Sequence, residues 1–276
     1  MDSYISRIFY LGTGYHGSQW QPNVRTIQGE LTEALSSWSG ETYNPESIIF
    51  SGRTDKGVSS LGQVVRFDSS IIPDLEGINS HLPEDIVFWA YTHVPAEFNP
   101  RFGVLNRHYR YYLDTADEPL DLAQMKQAAS LMIGLNNYAR ISKRDGDRPS
   151  LATILNISIR VNGEIVVFDF YGTNFLWKFV RKSITLLRWV GLGAYSTNII
   201  PRLLNENHSI PGGIKPAPPE GLVFIEASVP YRMKPNTRAI DRIRNIVLSR
   251  YSLYAKSLAT LQGISSDYLY GQMHFY

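Results

Sequence analysis

The sequence predicts an α+β fold built from two halves that repeat one order of elements. Each half runs strand, helix, strands, which predicts mixed or antiparallel sheets flanked by helices. A loop with four prolines and two glycines, residues 210–220, comes late in the second half, and a helical extension follows it. We therefore divide the chain into an N-terminal half at 1–104, a C-terminal half at 105–230 and an extension at 231–276.

The first half opens with β-prone and aromatic residues at Tyr4–Leu11, which predict a strand. Thr26 is a predicted N-cap, and a helix is expected after it because apolar residues then recur at helical spacing. These residues are Ile27, Leu31, Ala34, Leu35 and Trp38. Further strands are predicted at Ser47–Phe50, Gly62–Phe67 and Asp85–Val94.

The second half repeats this alternation of strand-like and helical patterns. Its predicted strands are His108–Asp114, a hairpin of Leu151–Asn162 and Glu164–Phe170 around Asn162-Gly163, and Gly221–Val229. Its predicted helices are Leu120–Gly134 and Leu176–Val190.

The sequence of the extension predicts one amphipathic helix that starts at Thr237, after Pro235. We expect it to dock on the body or on a partner subunit through one apolar stripe, made of Ile240, Ile243, Val247, Tyr251 and Tyr254. Residues 231–276 carry a net charge of +5, against +2 for the whole chain. That excess fits either contact with a phosphate backbone or a solvated helix face.

Composition narrows the class of protein. Hydrophobic residues make up 43% of the chain and charged residues 19%, which is typical of a globular protein. The chain has no cysteine, so disulfides and thiolate metal sites are excluded. Asp2 and Arg7 interrupt the N-terminal segment, and no apolar run is long enough to cross a bilayer. We therefore expect a cytoplasmic protein that is not bound to a membrane.

Gly12, Gly14 and Gly17 spell the G-x-G-x-x-G pattern of dinucleotide-binding proteins, which makes a nucleotide-dependent oxidoreductase one alternative. That pattern works only when a helix begins at the glycines and points its N-terminus at the pyrophosphate. Here the predicted helix waits until Thr26, so a glycine-rich loop is favoured. The six histidines show no metal-ligand spacing, so no metal site is expected.

A second glycine-rich loop, Ser51–Leu61, lies between two apolar strands and contains the run Arg53-Thr54-Asp55-Lys56. Glycines permit close backbone approach, and basic neighbours favour an ionised aspartate. Asp55 is therefore either a reactive carboxylate at the floor of a cleft or a polar turn residue that binds local amides.

The loop Gly52-Arg53-Thr54-Asp55-Lys56-Gly57-Val58 resembles the G-R-T-D-x-G-V signature of the TruA family of tRNA pseudouridine synthases. Other segments resemble family motifs in the same order, over roughly residues 4 to 229. These segments are Tyr15–Gln21, Thr26–Leu31, His81–Ile86, Phe98–Phe102, Arg107–Tyr112, Phe175–Ile184 and Glu220–Leu222. The family often has aspartate where His16 stands and His-Ala where Ser59-Ser60 stands.

The resemblance implies an isomerase that detaches uracil from ribose and rejoins it through carbon, with Asp55 as nucleophile or base and with base flipping. It implies no cofactor, and a homodimer that acts on the anticodon stem-loop at positions 38 to 40 of tRNA. A covalent route and a glycal-type route both remain open. An RNA-binding module without catalysis is the other alternative.

The resemblance also implies roles for further residues around an RNA-binding cleft. Arg181 would pair with Asp55, Tyr111 would stack on the flipped base or assist proton transfer, and Leu222 would close the other side of the base. The residues expected to contact RNA are basic: Arg53, Lys56, Arg101, Arg107, Arg110, Lys178 and Lys182.

Overall fold

The structure is a computed structural model that describes residues 1–115, 118–146, 149–206 and 208–264. Within these ranges the chain forms ten strands and seven α-helices. The strands are β1 (Asp2–Tyr10), β2 (Ile49–Phe50), β3 (Ser59–Ser69), β4 (Ile86–Val94), β5 (Asn106–Asp114), β6 (Gly134–Asn137), β7 (Leu151–Asn162), β8 (Ile165–Gly172), β9 (Leu222–Ser228) and β10 (Lys234–Pro235). The helices are α1 (Ile27–Ser39), α2 (Leu75–Ser80), α3 (Pro100–Gly103), α4 (Leu122–Ser130), α5 (Phe179–Gly191), α6 (Ile199–Asn205) and α7 (Thr237–Gly263).

All the strands belong to one mixed sheet, in the order β10-β4-β1-β3-β9-β5-β8-β7-β6, with β2 paired to β3. Strand β9 joins the two halves of the sheet, because it pairs parallel to β3 and antiparallel to β5. This arrangement confirms the predicted α+β class. The division into domains at residues 104 and 230 stays a prediction.

The helices α1 and α5 lie on the same face of the sheet. Residues paired across neighbouring strands point to one face, and a continuous row of such pairs runs from Tyr10 through Ser60, Phe224 and Tyr109 to Phe170. Tyr10 packs in a cluster with α1, and Phe170 packs in a cluster with α5. The central strands β3, β9 and β5 therefore lie between two groups of helices on one face.

Helix α1 begins where the sequence predicts. The Thr26 side chain accepts a hydrogen bond from the backbone N–H of Gly29, which satisfies a free donor of the first turn. The helix ends at Gly40, whose φ of 74° is the left-handed conformation that favours glycine. The predicted hairpin is also confirmed, since β7 and β8 pair antiparallel around Gly163.

Helix α7 packs on the opposite face of the sheet, mainly through residues outside the predicted stripe. Docking of that stripe on a partner subunit stays a prediction. Ala239, Ile243 and Ile246 are the buried residues of the helix, and they pack against Phe9 and Val87. Of the five predicted stripe residues only Ile243 is buried; Tyr251, for example, is 71% exposed. The part of the extension beyond residue 264 lies outside the described residues.

Two predicted helix boundaries also differ from the structure. The helix predicted at Leu120–Gly134 ends at Ser130 and gives way to the short strand β6. The helix predicted from Leu176 begins at Phe179, because Lys178 adopts a left-handed conformation with φ 61°. In the described part of the chain, no helix combines the length and apolarity that a membrane crossing needs.

Candidate functional site

The loop between β2 and β3 carries Asp55 on the face of the sheet that also carries α1 and α5. The backbone of Thr54 is fixed on both sides by Ser18, which donates its N–H to the Thr54 carbonyl at 3.0 Å and accepts from the Thr54 N–H through its hydroxyl at 2.8 Å. The Thr54 hydroxyl also bonds the hydroxyl of Tyr10 at 2.8 Å. Gly57, with φ 84°, turns the chain just after Asp55. The carboxylate is thus presented from a rigidly bonded loop.

Gly12 and Gly17, in the loop that follows β1, allow that loop to pack closely against the loop that carries Asp55. A Cβ placed on Gly12 would lie 2.2 Å from the carbonyl oxygen of Val58, and one on Gly17 would lie 2.9 Å from that of Thr54. Gly17 also has φ 100°, which side chains rarely adopt. The helix α1 begins only at Ile27, and its first amides, those of Ile27 and Gln28, donate to the carbonyls of Gly17 and Ser18 at 3.2 Å and 2.9 Å, so they are not free to bind a pyrophosphate. The dinucleotide pattern is therefore a packing feature, and the oxidoreductase alternative loses its basis.

Arg181 holds the carboxylate of Asp55. Its Nη1 donates to Asp55 Oδ2 at 2.6 Å, and its Nε donates to the Ala217 carbonyl at 2.6 Å. The Ala217 N–H in turn donates to the Arg181 carbonyl at 3.0 Å. The Arg181 side chain is 11% exposed and that of Asp55 is 24% exposed. A buried guanidinium thus fixes a carboxylate that solvent can still reach.

A second donor reaches the other carboxylate oxygen. The indole Nε1 of Trp177 donates to Asp55 Oδ1 at 3.0 Å. Trp177 is 40% exposed, and the Nζ of Lys143 lies 3.9 Å from the centroid of its ring. The Asp55 carboxylate is therefore bound by two side chains: Trp177, from the turn before α5, and Arg181, from α5 itself.

Tyr111 lies beneath the segment that binds Arg181. Its hydroxyl donates to the Pro218 carbonyl at 3.0 Å, and a Cβ on Gly221 would lie 2.8 Å from its ring. Tyr111 is 2% exposed, so this segment covers its ring. Burial raises the pKa of Tyr111 to about 12, although the positive charge of Arg181 opposes the rise. Leu222, which pairs with Tyr111 across β5 and β9, is also buried.

The basic residues expected to contact RNA lie in different surroundings. Arg53 is exposed, and none of the described residues forms a hydrogen bond or ion pair with its side chain. Lys56 is exposed, with its Nζ 3.3 Å from His16 Nε2. Lys182 donates to the Ser142 carbonyl at 2.8 Å, and burial lowers its pKa, as does the charge of Lys178. Lys178 and Arg101 are half-buried.

Arg107 differs from the expectation that it contacts RNA. It is 7% exposed, and its guanidinium donates to the backbone carbonyls of Ser51, Arg101 and Thr173. Burial lowers the pKa of this guanidinium. Arg107 therefore ties the Asp55 loop to β5 and to the turn after β8, and its donors are already used.

Arg110 also differs from the expectation. It neighbours Tyr111 in β5, and adjacent strand residues point to opposite faces. Its Nε donates to Asp169 Oδ1 at 2.7 Å, where His108 also bonds, while Arg160 donates to Asp169 Oδ2. Arg110 thus lies on the face of the sheet away from Asp55.

Sequence reasoning missed several residues that shape the site. Trp177 lies inside the motif that identified Arg181, but an indole gave no signal of a carboxylate ligand. Tyr109 stacks on Phe224 with ring centroids 4.6 Å apart, beneath the Gly52 backbone. Ala217 acts through its backbone only, which no side-chain pattern can reveal.

Comparisons with known proteins point to one family of RNA-modifying enzymes. A family model described as tRNA pseudouridine synthase matches residues 128–230. The tRNA pseudouridine synthase A of Methanosarcina acetivorans is 39% identical over 225 residues, which cover 79% of this chain and 81% of that protein. The protein of that name from Methanococcoides burtonii is 35% identical over 92% of this chain and 94% of its own length. That of Methanothermobacter thermautotrophicus is 32% identical over 95% of this chain and 94% of its own.

These relatives define the class of protein: an enzyme that modifies RNA without changing its atomic composition, an isomerase. The chain belongs to the tRNA pseudouridine synthase A family, and its substrate is uridine in tRNA. The resemblance found in the sequence is confirmed.

Proposed function

We propose that this enzyme converts uridine to pseudouridine in the anticodon stem-loop of tRNA, with Asp55 as the catalytic carboxylate. The observation that supports this role is the ion pair of 2.6 Å between Arg181 Nη1 and Asp55 Oδ2, on a carboxylate that remains 24% exposed. A structural turn aspartate would bind the amides of its own loop. Here the side chain instead bonds Trp177 and Arg181, more than a hundred residues away in the chain.

The reaction breaks the bond between N1 of uracil and C1′ of ribose and forms one between C5 and C1′. C5 loses a proton and N1 gains one, so atoms and electrons balance within the nucleotide. Positive character builds on the sugar as the first bond breaks, and a carboxylate nearby stabilises it. Asp55 either adds to C1′ or removes a sugar proton, and neither route needs a cofactor.

Arg181 orients Asp55, because its Nε is fixed to Ala217 while its Nη1 holds the carboxylate. Tyr111 and Leu222 are proposed to hold the flipped uracil on the side of β5 and β9. With a pKa near 12, Tyr111 is a neutral hydroxyl at neutral pH, so it enters proton transfer as a phenol.

The target nucleotide must leave its stack, which costs roughly a few kcal/mol. Arg53 is proposed to fill the gap, since it neighbours Asp55 and is exposed. Lys56, Arg101, Lys178 and Lys182 are proposed to hold phosphates around the extruded nucleotide. Arg107 and Arg110 are left out, because their guanidinium groups are held by carbonyl and carboxylate oxygens.

Asp55→Asn tests the assignment. The substitution removes the charge and keeps the shape, so we expect no pseudouridine in a tRNA transcript while tRNA affinity stays within a few-fold of wild type. The matched control is Asp68→Asn, which also neutralises an aspartate paired with an arginine, Arg66, but on strand β3. It should retain activity. Pseudouridine formation by Asp55→Asn would disprove the role of Asp55, whereas a wild-type enzyme that binds tRNA without forming pseudouridine would favour a binding module.

The proposed target positions are 38 to 40 of tRNA, and the proposed active form is a cytoplasmic homodimer. Mapping of pseudouridine in tRNA treated with the purified enzyme tests the positions, and modification elsewhere alone would contradict them. Light scattering of the purified protein tests the dimer, and a single monomeric species that is fully active would exclude it.

A further inference from the structure

Asp55 has two partners in this structure, and only Arg181 follows from the sequence motif. The second is Trp177, whose indole N–H donates to Oδ1 at 3.0 Å while Arg181 donates to Oδ2 at 2.6 Å. The carboxylate is therefore held at both oxygens, from two different directions. Each oxygen of an ionised carboxylate has two acceptor positions, so each keeps one that is free for the sugar.

Several contacts hold Trp177 in this position. The residue after it, Lys178, has φ 61°, a left-handed conformation that is unfavourable for a non-glycine residue. The Trp177 carbonyl accepts from the Lys143 N–H at 2.8 Å. Ammonium groups of Lys143 and Lys178 lie 3.9 Å and 5.5 Å from the centroid of its ring. Strained backbone that the surrounding structure fixes tends to occur where a side chain must be aimed.

We propose that Trp177 is a positioning residue for the reaction: its indole N–H fixes the rotation of the Asp55 carboxylate so that the free acceptor positions face the sugar. This inference rests on the proposed function of Asp55. A carboxylate held by Arg181 alone would still rotate about its last side-chain bond. Small displacements of a reacting group can cost about 100-fold in rate. Loss of the N–H should therefore lower kcat rather than weaken tRNA binding.

Two substitutions separate the contribution of the Trp177 indole N–H from that of its aromatic ring. Trp177→Phe keeps an aromatic ring and removes the donor. Trp177→His places an imidazole Nε2–H where the indole Nε1–H lies, because the two five-membered rings share the same atoms up to that nitrogen. Rates are measured at pH 8, where a free imidazole is neutral. The matched control is Trp89→Phe, which removes an indole N–H from the Leu61 carbonyl, among the residues that α7 covers.

We expect Trp177→Phe to lower kcat about 10- to 100-fold, with the KM for tRNA within about 3-fold of wild type. Trp177→His should recover most of the loss, and Trp89→Phe should match wild type. An unchanged kcat in Trp177→Phe would overturn the inference, as would equal losses in both Trp177 variants or a change confined to KM. Asp55→Asn is assayed alongside: its activity would disprove the proposed function, whereas a fully active Trp177→Phe beside an inactive Asp55→Asn would overturn this inference alone.

Discussion

At the scale of single residues, Asp55 and Asp169 are both paired with arginine, but their surroundings differ in how far they leave the carboxylate open to a substrate. Asp169 accepts from Arg110, His108 and Arg160, and its side chain is 4% exposed. Although burial alone would raise the pKa of Asp169, these hydrogen bonds hold it below the usual value. Three of its four acceptor positions are filled from within the protein, and burial closes off the fourth. Asp55 has two donors and greater exposure, so it alone of the pair can meet an incoming sugar.

Arg181→Lys should lower activity by about 100-fold, although it preserves the positive charge. A lysine cannot bind Asp55 and the Ala217 carbonyl together, since it lacks the fixed fork of the guanidinium. A carbonyl left without its donor should also lower the free energy of unfolding by about 1–3 kcal/mol. Single-turnover rates and urea unfolding measure the two effects.

The control for this variant is Arg188→Lys, in the same helix, where the partner is the partly exposed Glu118. A lysine there keeps the ion pair and should leave the rate unchanged. An Arg181→Lys enzyme with wild-type kcat would show that charge alone suffices at this position.

The sequence could have excluded one of the predicted RNA contacts. Arg110 precedes Tyr111 in one strand, so the two side chains must face opposite ways. The role of Arg107 could not be predicted in this way, because it depends on three backbone carbonyls that come together only in the folded chain. The pair of Asp55 and Arg181 was expected from two motifs 126 residues apart, which periodicity alone would not have joined.

At the scale of elements, the loop that follows β1 supports the loop that carries Asp55. Gly12 N–H donates to the Ser59 hydroxyl at 3.1 Å, and Ser18 bonds Thr54. The two loops are in contact at the backbone, with no space for a side chain at Gly12. A change in the loop that follows β1 should therefore displace the Asp55 carboxylate.

Gly12→Ala should lower the free energy of unfolding by about 1–3 kcal/mol, because the new methyl group would overlap Val58. It should also lower kcat, since Asp55 lies three residues before Val58. Gly14→Ala is the matched control: the nearest atom to its added Cβ is an Arg25 nitrogen 4.0 Å away. Denaturant unfolding and pseudouridine formation are measured for both. Equal stability and activity in the two variants would contradict the packing described for Gly12.

Whether a segment is a helix or a strand was predicted better than where it ends and which of its faces is buried. The amphipathic pattern of α7 is real, but tertiary contacts select Ala239, Ile243 and Ile246 rather than the tyrosine-rich stripe. A helix pattern does not tell which apolar stripe will meet the sheet when two stripes are present. The late start of α5 depends on the backbone of Lys178, and a lysine gives no sign of a left-handed conformation.

At the scale of the whole molecule, only the first turns of helix α7 in the extension pack on the sheet. Ending the chain after Val229 should expose Phe9 and Val87 and lower the Tm by about 10 °C. Ending it after Ser249 keeps Ala239, Ile243 and Ile246 in place and should change the Tm little. Thermal unfolding compares the two truncations, and light scattering reports the effect on self-association. A Tm unchanged by removal of residues 230–276 would show that α7 contributes no stability.

Strand β9 connects the halves, and its position has a consequence for biosynthesis. A ribosome makes β3 and β5 long before residues 222–228, yet these strands can join in one sheet only when β9 enters between them. The acceptor for Arg181, Ala217, also leaves the ribosome late. An unfinished chain therefore carries Asp55 and Arg181 before the sheet that brings them together is complete. With Asp55 as the proposed catalytic carboxylate, we expect RNA modification only after nearly the entire body has been translated.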